Sequence, residues 1–113
     1  METISFQDFE KIEMRVGRIV DISDFPEAKK PAYKLTIDFG SEIGQKTSSA
    51  RITELYSREQ LDGRLVVCVV NFPPKKIGPF LSECLTLGAF NESDHVALLG
   101  FGEKNIPLGS KIF

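Results

Sequence analysis

Residues 33–39, Tyr33-Lys34-Leu35-Thr36-Ile37-Asp38-Phe39, alternate apolar and polar side chains without a break. This period of two predicts a β-strand with one face in a core and the other in solvent. A preceding strand is predicted over Met14–Ile22, where Gly17 allows a bend or bulge. Lys46–Ile52, rich in Thr and Ser, predicts a polar strand after it. The residues expected on the apolar face of the first strand are Met14, Val16, Val20 and Ile22.

The second half of the chain predicts three further strands. Arg64–Val70 is a continuous β-branched run, which is typical of a central strand covered on both faces. Asn71–Gly78, with its Pro-Pro and Lys-Lys pairs, is predicted as a loop. Cys84–Phe90 and His95–Phe101 are predicted as strands joined by a turn over residues 91–94.

Two capping boxes predict short helices. Ser5 is followed three residues later by Asp8, which predicts an opening helix. Its apolar stripe is expected to dock on the barrel and consists of Phe6, Phe9 and Ile12. Ser57 and Gln60 form a second box, and Gly63 stands where the C-cap should be.

Together these elements predict an all-β, five-stranded OB-fold Greek-key barrel. It carries a short N-terminal helix, one short helix between strands 3 and 4, and a C-terminal strand extension. The length of 113 residues fits a single domain over residues 1–113.

Composition restricts the class of function. The 14 basic and 16 acidic residues give a net charge of −2, so any basic site must be local. The longest apolar run, Leu65–Val70, is far too short to cross a bilayer, so membrane insertion is not expected. No stretch resembles a signal peptide, and Cys68 and Cys84 lie in apolar runs, which favours a reduced, cytoplasmic location.

The inventory of reactive side chains argues against an enzyme. His95 is the only histidine, and two cysteines without partner histidines do not complete a zinc site. No phosphate-binding glycine motif is present, so neither a metal nor a cofactor is expected. Glu83 is the one carboxylate singled out, because a hydrogen-bonded acid after the basic loop would order the loop backbone.

The most informative stretch for function is Asn71–Glu83. Three prolines restrict its conformational entropy, and adjacent Lys75 and Lys76 supply cations that attract phosphate. Phe72 and Phe80 offer faces for stacking a base or holding an apolar side chain. The alternative is a rigid loop with a solvated lysine pair and buried aromatic rings.

Several of these segments together resemble the tRNA-binding OB domain family, which includes the C-terminal domain of some methionyl-tRNA synthetases. They are 14–19, 34–40, 69–77 and the Ser82-Glu83 pair. Within this family, segments 25–28, 48–50 and 71–74 are most similar to the CsaA-type export-related chaperones. The resemblance implies a homodimer without catalytic activity that binds either unfolded or export-bound polypeptide or tRNA.

The resemblance also assigns candidate ligand-binding residues. Those on the family's binding-loop motif are Asn71, Lys75, Lys76, Ser82 and Glu83. Pro79 and Arg51 stand where tRNA-binding members commonly have glycine, and Cys84-Leu85 where they usually have Gly-Met.

Two hypotheses therefore stand. In the first, a dimeric chaperone holds unfolded polypeptide or preprotein in an apolar groove edged by Phe72, Phe80 and Leu81. In the alternative, a structure-specific tRNA-binding module contacts phosphates through cations, namely Lys75, Lys76, Arg51 and Lys46. The apolar segment 106–113 either supplies a dimer surface or completes the core of its own subunit.

Overall fold

A computed structural model describes residues 1–113 and contains two short helices and nine strands. In chain order these are α1 (Phe6–Glu10), β1 (Met14–Asp24), β2 (Tyr33–Asp38), β3 (Gln45–Ala50), α2 (Arg58–Leu61), β4 (Leu65–Val69), β5 (Lys75–Ile77), β6 (Phe80–Ser82), β7 (Leu85–Thr86), β8 (Gly88–Phe90) and β9 (Val96–Leu98). Five of the strands form one antiparallel sheet in the order β3-β2-β1-β4-β7. Two separate hairpins, β5-β6 and β8-β9, follow β4.

The two edges of the five-stranded sheet meet along a seam between β3 and residues 83–86. The backbone N–H groups of Glu83 and Cys84 both donate to the carbonyl oxygen of Thr47, at 2.8 and 3.2 Å. One strand step further on, the hydroxyls of Ser48 and Thr86 are 2.9 Å apart and hydrogen-bonded. The sheet is therefore a nearly closed barrel, which confirms the predicted OB-fold.

The alternation that predicts β2 is seen directly in its burial. Tyr33, Leu35 and Ile37 are buried, while the intervening polar residues are half-buried. All of Val66–Val69 in β4 is buried, as expected for a strand covered on both faces. These two strands supply five of the twelve residues of the core, which also contains Ile19, Ile22, Phe39, Ala50, Ile52, Leu61 and Cys84.

The predicted apolar face of β1 is confirmed at Val16 and Ile22, which are buried, but it is wrong at Val20. Val20 is 41% exposed, whereas Ile19 is fully buried. The register against β2 shifts between Ile19 and Asp21, and this bulge reverses the parity of the strand. Gly17 serves a different purpose, because a β-carbon there would overlap the Ile37 side chain.

Both predicted capping boxes are present. Ser57 and Gln60 cap α2, which buries Leu61, and Gly63 follows with φ +76°. Ser5 and Asp8 cap α1, but α1 buries no residue, so the predicted docking of its apolar stripe is wrong. Of the three residues of the stripe, only Phe9 is half-buried, and Phe6 and Ile12 remain exposed.

Three predicted boundaries after β4 need correction. The predicted loop Asn71–Gly78 contains β5, because Gly78 (φ +58°) and Pro79 form a two-residue turn that pairs β5 with β6. The predicted strand Cys84–Phe90 is divided into β7 and β8, since β7 pairs with β4 and β8 with β9. The last predicted strand is shorter than His95–Phe101 and ends at Leu98.

The C-terminal segment runs along the first half of β1 as the predicted extension. Val16 exchanges backbone hydrogen bonds with Gly109 and Ser110, at 2.8 and 2.9 Å, and Ile112 donates to Met14 at 2.9 Å. The segment thus packs on its own subunit, although Phe113 remains exposed. Neither helix has the length or the apolar character required to span a bilayer.

Candidate ligand-binding site

The segment that leads from β4 into the β5-β6 hairpin is anchored to the N-terminal segment by Asn71. The Asn71 amide oxygen accepts from the Glu13 backbone N–H at 3.0 Å, and its Nδ2 donates to the Lys11 carbonyl oxygen at 2.7 Å. Both ends of this amide are therefore occupied within the protein. Although Asn71 matches the family's binding-loop motif, the structure gives it an anchoring position at the start of the hairpin.

The other end of the hairpin is fastened to β3 by Ser82 and Glu83. Glu83 Oε1 accepts from both the backbone N–H and the hydroxyl of Thr47, each at 3.0 Å. Thr47 Oγ1 lies 2.6 Å from the carbonyl oxygen of Leu81, and Ser82 Oγ accepts from the Ser49 N–H at 3.1 Å. Glu83 is thus a hydrogen-bonded acid that orders the base of the hairpin, the role that its position in the sequence suggested.

Strand pairing separates the two lysines of the hairpin. Lys76 is paired with Leu81, whereas Lys75 is paired with Ser82. Side chains alternate between the faces of a hairpin, and directly paired residues share a face. Because Ser82 points to β3, Lys76 and Leu81 lie on the outer face, and Lys75 lies on the face nearer the barrel.

Phe80 is half-buried and packs edge-on against Phe25, with ring centroids 5.3 Å apart. The ammonium group of Lys34 lies 5.4 Å from the Phe25 centroid and 5.9 Å from the Phe80 centroid. These cation–π contacts fix the hairpin to the β1-β2 connection. Lys34 is not among the ligand-binding residues predicted from the sequence, because its only signal there is its place on the polar face of β2.

The exposed part of this region combines apolar and cationic side chains. Phe72 is 54% exposed and Leu81 is 46% exposed. No carboxylate oxygen lies within 4 Å of any of the four cations of this region, which are Lys34, Arg51, Lys75 and Lys76. We refer to these six residues as the hairpin surface.

Two of the predicted cations have different settings. Arg51 directly follows β3 and is exposed. Lys46 is half-buried and shares the strand parity of Ser48 and Ala50, both of which are buried. The structure therefore does not bring Lys46 onto the face that carries Thr47.

The remaining reactive groups are buried or lie in turns. Both cysteines are buried as free thiols, which settles the location of Cys84 that the sequence left open. A hydrogen bond to Cys84, together with burial, raises the pKa of the Cys68 thiol well above its ordinary value. His95 lies at the 91–95 turn, where its backbone N–H donates to the Asn91 side chain at 3.0 Å. The structure contains no group of three or more His, Cys, Asp or Glu side chains placed to hold a metal ion.

Comparison with known proteins agrees with this architecture. Two solved structures, each covered completely by this chain, are described as the CsaA chaperone protein from Picrophilus torridus and chaperone CsaA from Bacillus anthracis strain Ames. The first is 50% identical over 98% of this chain with a TM-score of 0.90, and the second is 44% identical over 99% with a TM-score of 0.91. The predicted resemblance to CsaA-type chaperones is thus confirmed.

Curated relatives extend the similarity to tRNA ligases. Methionine–tRNA ligase from Thermococcus onnurineus is 38% identical over 99% of this chain, and that from Nitrosomonas europaea is 48% identical over 81%. This chain spans only 15% and 13%, respectively, of the length of these relatives. The family described as a putative tRNA binding domain matches residues 14–111. The chain therefore belongs to the putative tRNA binding domain family.

Proposed function

We propose that this protein is a non-catalytic, dimeric binding protein that holds unfolded or export-bound polypeptide on the hairpin surface. The observation that carries the proposal is the exposure of Phe72 and Leu81 beside unpaired cations on a hairpin fastened at both ends. Two structures similar to this chain along its whole length are described as chaperones, which supports the same function.

The hairpin surface favours weak and broadly specific binding of polypeptide. Complete burial of a large apolar side chain contributes roughly 1.5–3 kcal/mol, so the half-exposed Phe72 and Leu81 contribute about 1 kcal/mol each. The unpaired Lys75 and Lys76 add attraction to acidic segments, which salt weakens. Two such surfaces in a dimer strengthen binding to one long chain through effective concentration.

Dimerisation is supported by the apolar residues near the chain ends. Helix α1 is much shorter than the ~12–15 residues that an isolated helix needs, and it buries nothing in this subunit. Phe6 is 69% exposed, and Ile4, Ile12 and Phe113 are also exposed. A second copy that covers these side chains supplies the missing packing for α1.

The proposed location is the cytoplasm. The two thiols, Cys68 and Cys84, are unlinked and buried in the core, a state that a reducing compartment maintains.

The polypeptide-binding proposal is tested with a permanently unfolded, fluorescently labelled polypeptide. We expect the Phe72→Ser, Leu81→Ser double variant to bind it at least ~10-fold more weakly, because most of the exposed apolar contact is lost. Phe90→Ser is the control, since Phe90 is even more exposed, at 69%, but lies on the β8-β9 hairpin. If both variants bind as tightly as the native protein, the hairpin surface is not the polypeptide site.

The dimer is tested separately by sedimentation equilibrium. The Phe6→Ser, Phe113→Ser double variant is expected to sediment as a monomer at concentrations where the native protein is a dimer. A native protein that remains monomeric at high micromolar concentration contradicts the proposal.

A second candidate function, binding of structured tRNA, is favoured by the four unpaired cations of the hairpin surface. Each phosphate contact steepens the salt dependence of log K by ~0.9, so the Lys75→Ala, Lys76→Ala variant is expected to flatten that slope by almost 2. Lys11→Ala is the control, because Lys11 already pairs with Asp8 at 3.6 Å. An unchanged slope for the double variant rules out these lysines as phosphate contacts.

A further inference from the structure

A second cationic feature lies at the opposite end of β4 from the hairpin. Here a cleft of about 390 Å³ opens between β1, the start of β4 and the segment 100–105. Arg18 on β1 is paired with Leu65 at the start of β4, whereas the hairpin begins beyond Val69, at the other end of the strand. The cleft is therefore separate from the hairpin surface.

The charges in this cleft do not neutralise one another. Arg18, Arg64 and Lys104 line it together with a single acid, Glu103. None of these four groups forms an ion pair within 4 Å. The lining therefore carries a net charge of about +2 that no protein group compensates.

Arg64 is held in place by a rigid aromatic platform. Its guanidinium lies 4.9 Å from the centroid of the Tyr56 ring. That ring is itself fixed, since the Tyr56 hydroxyl accepts from the Leu98 N–H at 2.8 Å and its carbonyl accepts from the Tyr33 hydroxyl at 3.1 Å. The Arg64 Nε is buried without a hydrogen-bond partner, which is a costly state for a charged group.

Further residues with hydrogen-bond donors line the same cleft. Arg18 uses one nitrogen, Nη1, to donate to the Gly63 carbonyl oxygen at 2.8 Å, which orients the rest of its guanidinium. A turn is closed by the hydrogen bond from the Lys104 N–H to the Phe101 carbonyl oxygen, which is 3.2 Å long. Within this turn, Gly102 has φ +61°. The backbone N–H groups of Gly102 and Glu103 have no acceptor within the protein. Such oriented amides are suited to an anion.

We propose that this cleft binds a phosphomonoester dianion, carried either by a free nucleotide or by the 5′ end of an RNA. The net charge of the lining, about +2, is equal and opposite to that of the dianion. A stacked guanidinium also presents a planar fork of N–H donors, whose hydrogen bonds phosphate oxygens accept. The cleft is larger than a phosphate group, and half-buried Phe101 adds an aromatic wall for the attached nucleoside. This site is independent of the function proposed for the hairpin surface.

The test is a backbone-amide NMR titration with adenosine 5′-monophosphate and with adenosine. We expect the nucleotide to shift the Gly102 and Glu103 resonances and to bind at least ~10-fold more tightly than the nucleoside, because only the nucleotide supplies a charged acceptor. Equal affinities, or no shift of these amides at millimolar nucleotide, overturn the proposal.

A short single-stranded RNA with and without a 5′-phosphate distinguishes the two sources. If the RNA with a 5′-phosphate binds more tightly than the mononucleotide, and the RNA with a 5′-hydroxyl does not, the phosphate that the cleft binds belongs to an RNA end. Affinity of the phosphorylated RNA no greater than that of the mononucleotide identifies the free nucleotide. An RNA that binds equally with either end, together with a mononucleotide that does not bind, overturns the proposal.

Two variants tie the binding to the cleft. Arg64→Lys keeps the charge but removes the fork and is expected to weaken nucleotide binding about 10-fold. Lys104→Ala, at an exposed position whose side chain makes no hydrogen bond or ion pair within the protein, is expected to weaken nucleotide binding up to ~5-fold. Lys11→Ala, at an exposed position outside both the cleft and the hairpin surface, is the control and should leave nucleotide affinity unchanged. If Lys104→Ala and Lys11→Ala have the same effect, the cleft is not the site.

Discussion

Replacement of Glu83 by alanine is expected to loosen the seam between β3 and the base of the hairpin. The substitution removes the acceptor of the Thr47 backbone N–H and one of the two acceptors that share the single Thr47 hydroxyl proton, each 3.0 Å away. The Thr47 hydroxyl keeps its contact with the Leu81 carbonyl oxygen, but the N–H group is left without its partner. The effect therefore combines a lost interaction with an unsatisfied, partly buried donor.

The size of the loss follows from these two bonds. A hydrogen bond to a charged group contributes about 1.5–3 kcal/mol, and the partial exposure of this site places the sum at about 2 kcal/mol. Unfolding entropy is about 2.1 cal/mol/K per residue, or ~0.24 kcal/mol/K for 113 residues. The midpoint of thermal unfolding should therefore fall by about 8 °C.

The measurement is urea and thermal unfolding followed by circular dichroism. Glu92→Ala is the matched control, because Glu92 lies exposed in the turn between β8 and β9. A Thr47→Val variant completes a double-mutant cycle, in which the Glu83–Thr47 coupling should exceed ~0.5 kcal/mol. If Glu83→Ala lies within ~0.5 kcal/mol of the native protein, the carboxylate does not fasten the hairpin and our account of the seam is wrong.

Three further outcomes are expected. Gly17→Ala should lower the free energy of unfolding by about 1–3 kcal/mol, because its β-carbon overlaps core side chains, whereas Gly100→Ala, with open space around it, should change little in urea unfolding. Cys68, whose thiol pKa is raised, should resist alkylation at pH 8 until the protein unfolds, and rapid labelling of the native state by mass spectrometry would contradict this. The hydrogen bond from Arg15 holds the pKa of Glu13 below its ordinary value of 4.5, so its stabilisation is present above pH 4.5 and lost as the pH falls. Glu13→Gln should therefore show a shallower loss of stability below pH 4.5, and a decline as steep as that of the native protein would count against the pair.

Local sequence patterns predict the barrel because each strand has its own pattern of buried and exposed side chains. The alternation in β2 and the continuous apolar run of β4 each correspond to one packing environment, as do the two capping boxes. The parity of β1 was not predictable in the same way. Its bulge depends on the register against β2, a long-range pairing that no short window contains.

The sequence selects several residues around the β5-β6 hairpin, but it does not predict the contacts that they make. The family resemblance selects Asn71, and its position after the basic loop selects Glu83, but only the folded chain shows that their polar atoms bond to Glu13 and Thr47. Lys34 was missed because its partners, Phe25 and Phe80, are distant in sequence. The Gly78-Pro79 pair was a hairpin signal of the Gly-X type, and the proline-rich context hid it.

Around the β5-β6 hairpin, the residues that anchor it and the residues that it exposes are different, and this affects how the domain tolerates substitutions. The hairpin is anchored by the hydrogen bonds of Asn71 and Glu83, which lie before and after it. The side chains of Phe72, Lys75, Lys76 and Leu81 are exposed. Substitutions at these four positions should therefore cost little folding energy while they change the proposed binding surface. A scaffold of this kind can acquire a new ligand through a few point mutations without losing its fold, which fits a domain found both in chaperones and in tRNA ligases.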